Sequence, residues 1–284
     1  MIACVTKIDR VVFNSDISLH RVVDGLGDFR TKRDHVLNNS AAKSFSNSYG
    51  RVRNLVNDST GTKIDIEYQR CLRKMSGMRI TVIPEDIAGL TRTELEKISP
   101  AFAPFSFRKV EIACDFPKAI GMNAEFVRRH LKPGKSRLRH APKYPEAAWF
   151  GVAHAAKFVR SYLKAEVSAY LIELQLSRQF LHKHNIHGPP DFVRLEEVAA
   201  SQIRFFDVDW ASLSRSIRRH YPRDASLLLI KVQAHSAVLT ELLKFLGSIG
   251  ISNPTRFLVP MAINRTVYAA LRSWARRWAM ERNT

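Results

Sequence analysis

Tyr162 stands between two cations in the segment Lys157-Phe158-Val159-Arg160-Ser161-Tyr162-Leu163-Lys164. In an extended chain the side chains alternate, so Phe158, Arg160, Tyr162 and Lys164 share one face and Val159, Ser161 and Leu163 the other. A phenol between a guanidinium and an ammonium group suits phosphoryl transfer to tyrosine. A free phenol ionises near pH ~10 and is a weak nucleophile at neutral pH, but neighbouring cations favour its phenolate and offset the charge of an attacked phosphate. The segment Leu171-Ile172-Glu173-Leu174-Gln175-Leu176 alternates as well. Its Ile172, Leu174 and Leu176 form an apolar side, and Glu173 and Gln175 share the opposite side with Leu171. Two neighbouring strands would therefore carry Arg, Tyr, Lys and Glu on polar faces able to meet. The same spacing also describes a half-buried strand with a tyrosine at its rim, because tyrosine is a common strand residue.

The elements around this pair must hold it in a strongly basic chain. Forty-five Lys and Arg against 26 Asp and Glu give a net charge of +19, while 45% of the residues are hydrophobic. That balance belongs to a globular protein with a polyanionic partner, and not to a disordered basic tail. Nucleic acid fits better than a membrane surface, since the basic residues run through the chain instead of forming one amphipathic segment beside an apolar anchor. At 284 residues the chain can hold one large or two modest domains. No apolar run reaches the ~18 residues of a membrane span, and the start MIACVTKIDR lacks the apolar core of a signal peptide. A soluble protein in the cytoplasm is expected. The three cysteines, Cys4, Cys71 and Cys114, share no C-x-x-C spacing, so they are expected as small buried hydrophobes.

Before the central pair, the pattern is that of strands. Ile8, Val11, Val12 and Phe13 mark a first strand. The polar stretch from Val23 to Asp58 predicts a long loop or short helix. KIDIEYQ and MRITVI predict a hairpin turning at Ser76 and Gly77, and TRTELEKI predicts a short helix capped by Thr91, with Glu94 at the capping-box position. In FRKVEIACDF, Val110, Ile112, Cys114 and Phe116 face one way and Lys109, Glu111, Ala113 and Asp115 the other. Four residues of strand span about 13 Å at ~3.3 Å each, so without a bend Glu111 and Asp115 cannot both bind one metal ion. Between residues 128 and 143 lie seven cations, Arg128, Arg129, Lys132, Lys135, Arg137, Arg139 and Lys143, and no carboxylate. That run is either a solvated basic loop or a set of phosphate contacts.

A break at His187, Gly188, Pro189 and Pro190 divides this α+β part, residues 1–187, from a helical part, residues 191–284. In the last helix Val267, Leu271, Trp274 and Trp278 form an apolar stripe opposite Arg265, Arg272 and Arg276, so core packing outranks base stacking for these tryptophans. The expected fold class is α+β: a largely antiparallel central sheet with flanking helices, then a mainly helical C-terminal region. There is no Walker A loop, no H-E-x-x-H and no His-hydrophobic-His pair.

The order of these motifs resembles the replication initiation proteins of rolling-circle plasmids of the trans-acting type and their relatives in filamentous phages and integrative elements. The resemblance covers about residues 1 to 185. It is carried by Ile8-Asp9, by Ser76-Gly77, by the strand Arg108 to Asp115 and by Trp149-Phe150-Gly151. It continues through Phe158 to Lys164 with Glu166, and through Leu171 to Leu176. Departures are Leu163 in place of an acid before the lysine, His154 near an expected serine, Glu111 for aspartate, and no arginine before Glu173.

The resemblance implies a nickase in which Tyr162 attacks one phosphodiester at an origin, becomes joined to the 5′ phosphate and leaves a 3′ hydroxyl. It implies Mg²⁺ or Mn²⁺ held by Asp115 and Glu173, with Glu111 as a third candidate, while Arg160 and Lys164 offset developing charge. The implied partner is origin DNA, as a hairpin, a single strand or a supercoil, in a bacterial cytoplasm. Host helicase or polymerase and a second copy of the chain are further partners that this reading admits. The rival reading is a sequence-specific DNA binder of the same fold without chemistry.

Overall fold

The computed structural model describes residues 4–36, 49–70, 77–86, 88–117, 121–134, 138–139, 146–152, 155–164 and 168–281. The chain begins with β1 (Val5–Ser15), α1 (Leu19–Gly25), β2 (Phe29–Val36), β3 (Tyr49–Asn57), β4 (Lys63–Arg70), β5 (Met78–Ile83) and α2 (Arg92–Ile98). Then come β6 (Phe105–Pro117), α3 (Ala124–His130), β7 (Leu138–Arg139), β8 (Ala148–Phe150), β9 (Lys157–Lys164), β10 (Ala169–Ser177) and α4 (Arg178–Lys183). The remainder is α5 (Leu195–Gln202), β11 (Phe206–Val208), α6 (Trp210–His220), α7 (Ala225–His235), α8 (Leu239–Ser248), β12 (Leu258–Pro260) and α9 (Ile263–Met280). The fold class is α+β with a large antiparallel sheet and a helical C-terminus, as the sequence predicts.

The chain forms two compact units. One takes Thr6–Ala113, Gln175–Leu195 and the chain from Trp274; the other takes the start up to Val5, Cys114–Leu174 and Glu196–Ser273. The break at Gly188–Pro190 lies inside Gln175–Leu195, and β6, β10 and α9 each contribute residues to both units.

In the first unit the strands run in the order β2-β3-β4-β5-β1-β6. β4 and β5 pair antiparallel with Ile64 opposite Val82 and Ile66 opposite Ile80, and β1 continues with Val11 opposite Val82 and Phe13 opposite Ile80. Ile64, Ile66, Ile80, Val82, Val11 and Phe13 are fully buried. Phe13 also meets the rings of Phe102, Phe105 and Phe107 at 5.0–5.1 Å between centroids. Gly77 enters β5 at φ +101°, where a Cβ would come within 2.3 Å of Asp16 Oδ1, so only glycine fits. Ser76 and Cys71 lie outside the described residues. Thr91 caps α2 as expected, its hydroxyl accepting from the Glu94 N–H at 3.1 Å. The Glu94 carboxylate accepts instead from the hydroxyls of Thr62 and Thr60, at 2.5 and 3.1 Å, tying the helix to the β3–β4 turn.

The loop expected between Val23 and Asp58 is corrected: its described parts are mainly β2 and β3, joined antiparallel from Phe29 opposite Asn57 to Val36 opposite Arg51. Their alternation is hidden because β2 is the edge strand, has no buried residue and carries a bulge between Thr31 and Arg33. Charged side chains and bulges are what keep a sheet edge from pairing with another chain.

In the second unit the order is β6-β10-β9-β8-β7. β8 pairs antiparallel with β9, Trp149 opposite Arg160, and β7 with β8, Arg139 opposite Trp149. β6 from Val110 to Phe116 and β10 from Ala169 to Leu176 are buried at every residue. The polar side of each strand, Glu111 and Asp115 on β6 and Glu173 and Gln175 on β10, is thus buried along with the apolar side. Interior strands of a sheet covered on both sides expose neither set of alternating side chains.

The helical segment α6–α8 closes on a cluster of Leu213, Ile217, Val232, Leu242, Leu246 and Phe257. The stretch from Ala225 to Gly250, continuous in its periodicity, breaks at Ser236–Val238 into α7 and α8, so that Val232 and Leu242 reach the same cluster. β11 and β12 form a small antiparallel pair that periodicity does not reveal. The α9 stripe of Val267, Leu271, Trp274 and Trp278 is buried as expected. Trp278 donates its indole N–H to the Pro189 carbonyl at 2.9 Å and stacks on Phe192. Cys114 is buried and Cys4 half-buried, and a hydrogen bond with the Cys114 thiol, reinforced by burial, pushes the Cys4 thiol far above the ordinary range. Among the described residues no helix is long and apolar enough to cross a membrane.

The β2–β4 face carries one polar network. Asp34 accepts from Arg53 at 2.7 and 2.9 Å, from Tyr68 at 2.8 and 3.0 Å, and pairs with Arg51 at 3.2 Å. Burial opposes its charge, yet the Arg53 and Tyr68 hydrogen bonds hold its carboxyl below the usual range. A depressed carboxyl stabilises the fold above its unfolded pKa, near ~4, and that contribution is lost as pH falls through the folded value. Asp34→Asn is expected to lower the urea midpoint at pH 7 and to differ little from wild type well below pH ~4. A deficit that stays constant with pH would remove the ionised carboxylate from this account.

Candidate functional site

β9 and β10 position the candidate site because both strands present alternate side chains to one face. Glu173 lies on β10 with its carboxylate fully buried. Its Oε2 accepts a hydrogen bond from Arg160 Nε and its Oε1 accepts one from the Tyr162 hydroxyl. The Arg160 side chain is 27% exposed, and its guanidinium also lies 5.7 Å from the centre of the Tyr162 ring. Tyr162 is half-buried. A buried carboxylate must be paired and hydrogen-bonded to remain charged, and here a guanidinium and a phenol meet that demand together.

The sequence-predicted residues thus fall into groups. Tyr162, Arg160 and Glu173 come together. Lys164 is half-exposed on the same strand and, among the described residues, has no hydrogen-bond or ion-pair partner. Asp115 is nearly buried at the end of β6, where its charge adds to the rise of the Cys4 thiol. Glu111 belongs to the other unit, fully buried, with Lys109 Nζ at 2.5 Å and Arg10 Nη1 at 3.8 Å from its Oε1. Glu166, His140 and His154 lie outside the described residues.

Carboxylate oxygens are the right donor chemistry for Mg²⁺ or Mn²⁺. As placed, Glu173 has both oxygens engaged by Arg160 and Tyr162, and Glu111 Oε1 faces Lys109 and Arg10. Among the described residues no three His, Cys, Asp or Glu groups gather into a metal-binding cluster. No catalytic step is therefore derived through an ion.

The basic run is not one loop. Arg128 and Arg129 sit in the last turn of α3, where cations suit the helix dipole. Arg128 donates to the Ala147 carbonyl at 2.7 Å, and Lys132 donates its backbone N–H to the Arg204 carbonyl at 2.9 Å. Arg129 is exposed. Lys135, Arg137 and Lys143, and the side chain of Arg139, lie outside the described residues.

Sequence reasoning passed over Tyr170, on β10 beside the turn. Its hydroxyl shares a 3.1 Å hydrogen bond with Ser161, whose hydroxyl also donates to the Ala148 carbonyl at 3.3 Å. Burial pushes the Tyr170 hydroxyl up to about 12 against the opposing Ser161 hydrogen bond. The signal available in the sequence was the Ser161–Tyr170 pairing of two polar groups on otherwise apolar faces.

Tyr162–Glu173–Arg160 and Tyr68–Asp34–Arg53 share a composition and differ in access. At the second, the phenol is 8% exposed and the carboxylate side chain 20% exposed. At the first, the acid is sealed and the phenol is the accessible member. Of the two, the Glu173 arrangement therefore pairs the more exposed tyrosine with a buried proton acceptor. The chain matches no protein-family model and no curated protein by sequence.

Two outcomes test this geometry. Glu173→Leu should cost about 2–4 kcal/mol by leaving Arg160 uncompensated, while Glu173→Leu with Arg160→Met should recover most of that loss. Equal unfolding midpoints for the single and double variants would mean that the pair is not coupled. For Tyr170, a folded value above the unfolded ~10 means full stability below pH ~10 and a decline as pH rises toward 12. Tyr170→Phe should flatten that alkaline limb in thermal melts.

Proposed function

We propose that the protein is a DNA-nicking replication initiator of the rolling-circle kind, acting through a covalent tyrosine–phosphodiester intermediate. The observation that carries the reading is the hydroxyl of the half-buried Tyr162 donating to the buried Glu173 carboxylate, which Arg160 holds from its other oxygen. The chain's charge of +19 favours a phosphodiester partner.

In the proposed step the Tyr162 oxygen attacks a phosphorus of the DNA backbone and its proton passes to Glu173 Oε1. The bond from phosphorus to the 3′ oxygen breaks, leaving the 5′ phosphate on Tyr162, and the departing oxygen takes a proton from water. As Glu173 gains the proton it ceases to neutralise Arg160. The guanidinium charge is thereby released beside the phosphate at the moment when negative charge develops there. Lys164, on the same strand face, adds a second cation. The basic residues from Arg128 to Lys143 are assigned to backbone contacts, and Mg²⁺ or Mn²⁺ remains the proposed cofactor, for which Asp115 would be an oxygen donor. The proposed partner is origin DNA in a bacterial cytoplasm, with host helicase or polymerase following the nick.

One observation favours a second reading, a DNA binder without chemistry. Both Glu173 oxygens are already engaged, and the same residue types hold the β2–β4 face together around Asp34 without offering an accessible phenol. The two readings part on a single substitution. Incubated with supercoiled DNA from its own replicon and Mn²⁺, the protein should give relaxed circles carrying covalent protein, and Tyr162→Phe should abolish the adduct. A chelator arm reads the requirement for the ion. If wild type forms no adduct and Tyr162→Phe binds the same DNA equally well, the binder reading replaces the nickase.

A further inference from the structure

Helix α6 carries a second cationic centre. Its exposed Arg215, Arg219 and His220, with Ser212 and Ser216, line a cavity of about 520 Å³ that Arg256, from the Pro254–Phe257 turn, completes. No carboxylate lines it. The opposite edge of the helix buries Leu213 and Ile217 in the α6–α8 cluster, so the cationic edge is fixed outward by the packing of the apolar one.

The cations are held in place by neutral partners. Arg256 Nη2 donates to the Ser216 hydroxyl at 3.1 Å and its guanidinium lies 4.7 Å from the centre of the Phe257 ring. Arg215 Nη2 donates to the Ser212 hydroxyl at 3.2 Å, and His220 Nδ1 lies 2.8 Å from the Ser216 carbonyl oxygen. Among the described residues none of Arg215, Arg219 and Arg256 forms an ion pair. The nearby acid, Asp209, caps α6 by accepting from the Ser212 N–H at 2.9 Å. Arg215 and Arg256 are oriented by hydroxyls and a ring, Arg219 lines the same cavity, and the forked donors of a guanidinium suit phosphate.

What kind of phosphate follows from the other flank of the same helix. A cavity of about 560 Å³ is lined there by Trp210, Arg129, Ser214 and Gln233, and the Trp210 indole is 42% exposed. An exposed indole beside an amide and a hydroxyl suits an unstacked base, and a free anion has no use for it. Trp210 and Arg219 are nine positions apart, about 13 Å along the helix and half a turn around it, so a strand joining them passes over the exposed Arg218 and Arg215 and takes several nucleotides.

We propose that α6 is a binding track for single-stranded nucleic acid, with a backbone phosphate held by Arg215, Arg219 and Arg256 and a base stacked on Trp210. It shares with the nicking reading only the class of partner, and it stands or falls without Tyr162.

The test is the affinity of the full-length protein for a short single-stranded DNA oligonucleotide over a range of NaCl concentrations. Each phosphate neutralised on a single strand contributes about 0.7 to the salt slope, so Arg215→Gln/Arg219→Gln/Arg256→Gln, which removes the one phosphate contact of the cavity, should lower it by about 0.7. Trp210→Ala should weaken binding about tenfold with the slope unchanged. The exposed cations Arg21, Lys32 and Arg33, replaced together by Gln, serve as the charge-matched control and should leave both readouts as in wild type. Circular dichroism and melting confirm that each variant folds, and if the triple variant does not, Arg215→Gln/Arg219→Gln should lower the slope in the same direction, by less than about 0.7. The proposal is overturned if the cavity variant keeps the wild-type slope, or if the control lowers it equally. It is also overturned if inorganic phosphate binds the cavity while oligonucleotide affinity is indifferent to the three arginines, which makes the cavity a free-anion site. Tyr162→Phe must bind the oligonucleotide as wild type does, so loss of the adduct and loss of this slope report separately on the two readings.

Discussion

A carboxylate buried on an interior strand is the constraint on which the second unit's sheet depends. Glu173 sits in β10 among residues that are all buried from Ala169 to Leu176, and an isolated charge there would be prohibitively costly. β9 answers with two side chains of one face, Arg160 and Tyr162, spaced by the strand's own period so that each reaches one carboxylate oxygen. Slipping β9 by one residue would present Val159, Ser161 and Leu163 instead and strand the charge. The pair thus specifies register as well as any chemistry it performs.

The opposite face of β9 has its own polar bond, Ser161 to Tyr170, sealed in the interior. A strand that carries arginine, serine and tyrosine in succession therefore satisfies every polar group it buries, but through different partners on its two sides. Of the three tyrosines in such networks, Tyr68 and Tyr170 are nearly inaccessible and Tyr162 alone is half-buried. Access, more than composition, separates a hydroxyl that can meet a substrate from one that only completes a core.

Positive charge in this protein is arranged by the same logic. Cations that meet acids, such as Arg160 with Glu173, Arg53 with Asp34 and Arg272 with Glu196, are consumed in holding elements together. Among the described residues, those on the exposed edge of α6 form no ion pair: they hydrogen-bond to hydroxyls and a carbonyl or lie over a ring, and Arg215 acts on the Asp209 carboxylate only through space. Net charge of +19 measures both kinds at once, and only the second kind remains available to a polyanion.

Much of the fold could be read from residue order alone. The period of two marked β1, β4, β5, β6, β9 and β10, the period near 3.6 marked the helices beyond Pro190, and Thr91 marked the start of α2. Tyr162, Arg160 and Glu173 were singled out as one group because alternation places them on one face of neighbouring strands. Local periodicity could not show the edge strand β2, whose exposed charges and bulge erase the pattern, nor its partner β3. Nor could it show that both faces of β6 and β10 are covered, since burial depends on what the rest of the chain lays over them. Whether a given arginine is spent on a carboxylate or left facing water is likewise settled only when distant segments meet. The side-chain types and their order along each strand were determined by the sequence. The burial of Glu173, the placing of Glu111 in a separate unit and the gathering of Arg215, Arg219 and Arg256 were decided by tertiary structure, because solvent exclusion and through-space charge are properties of the packed chain.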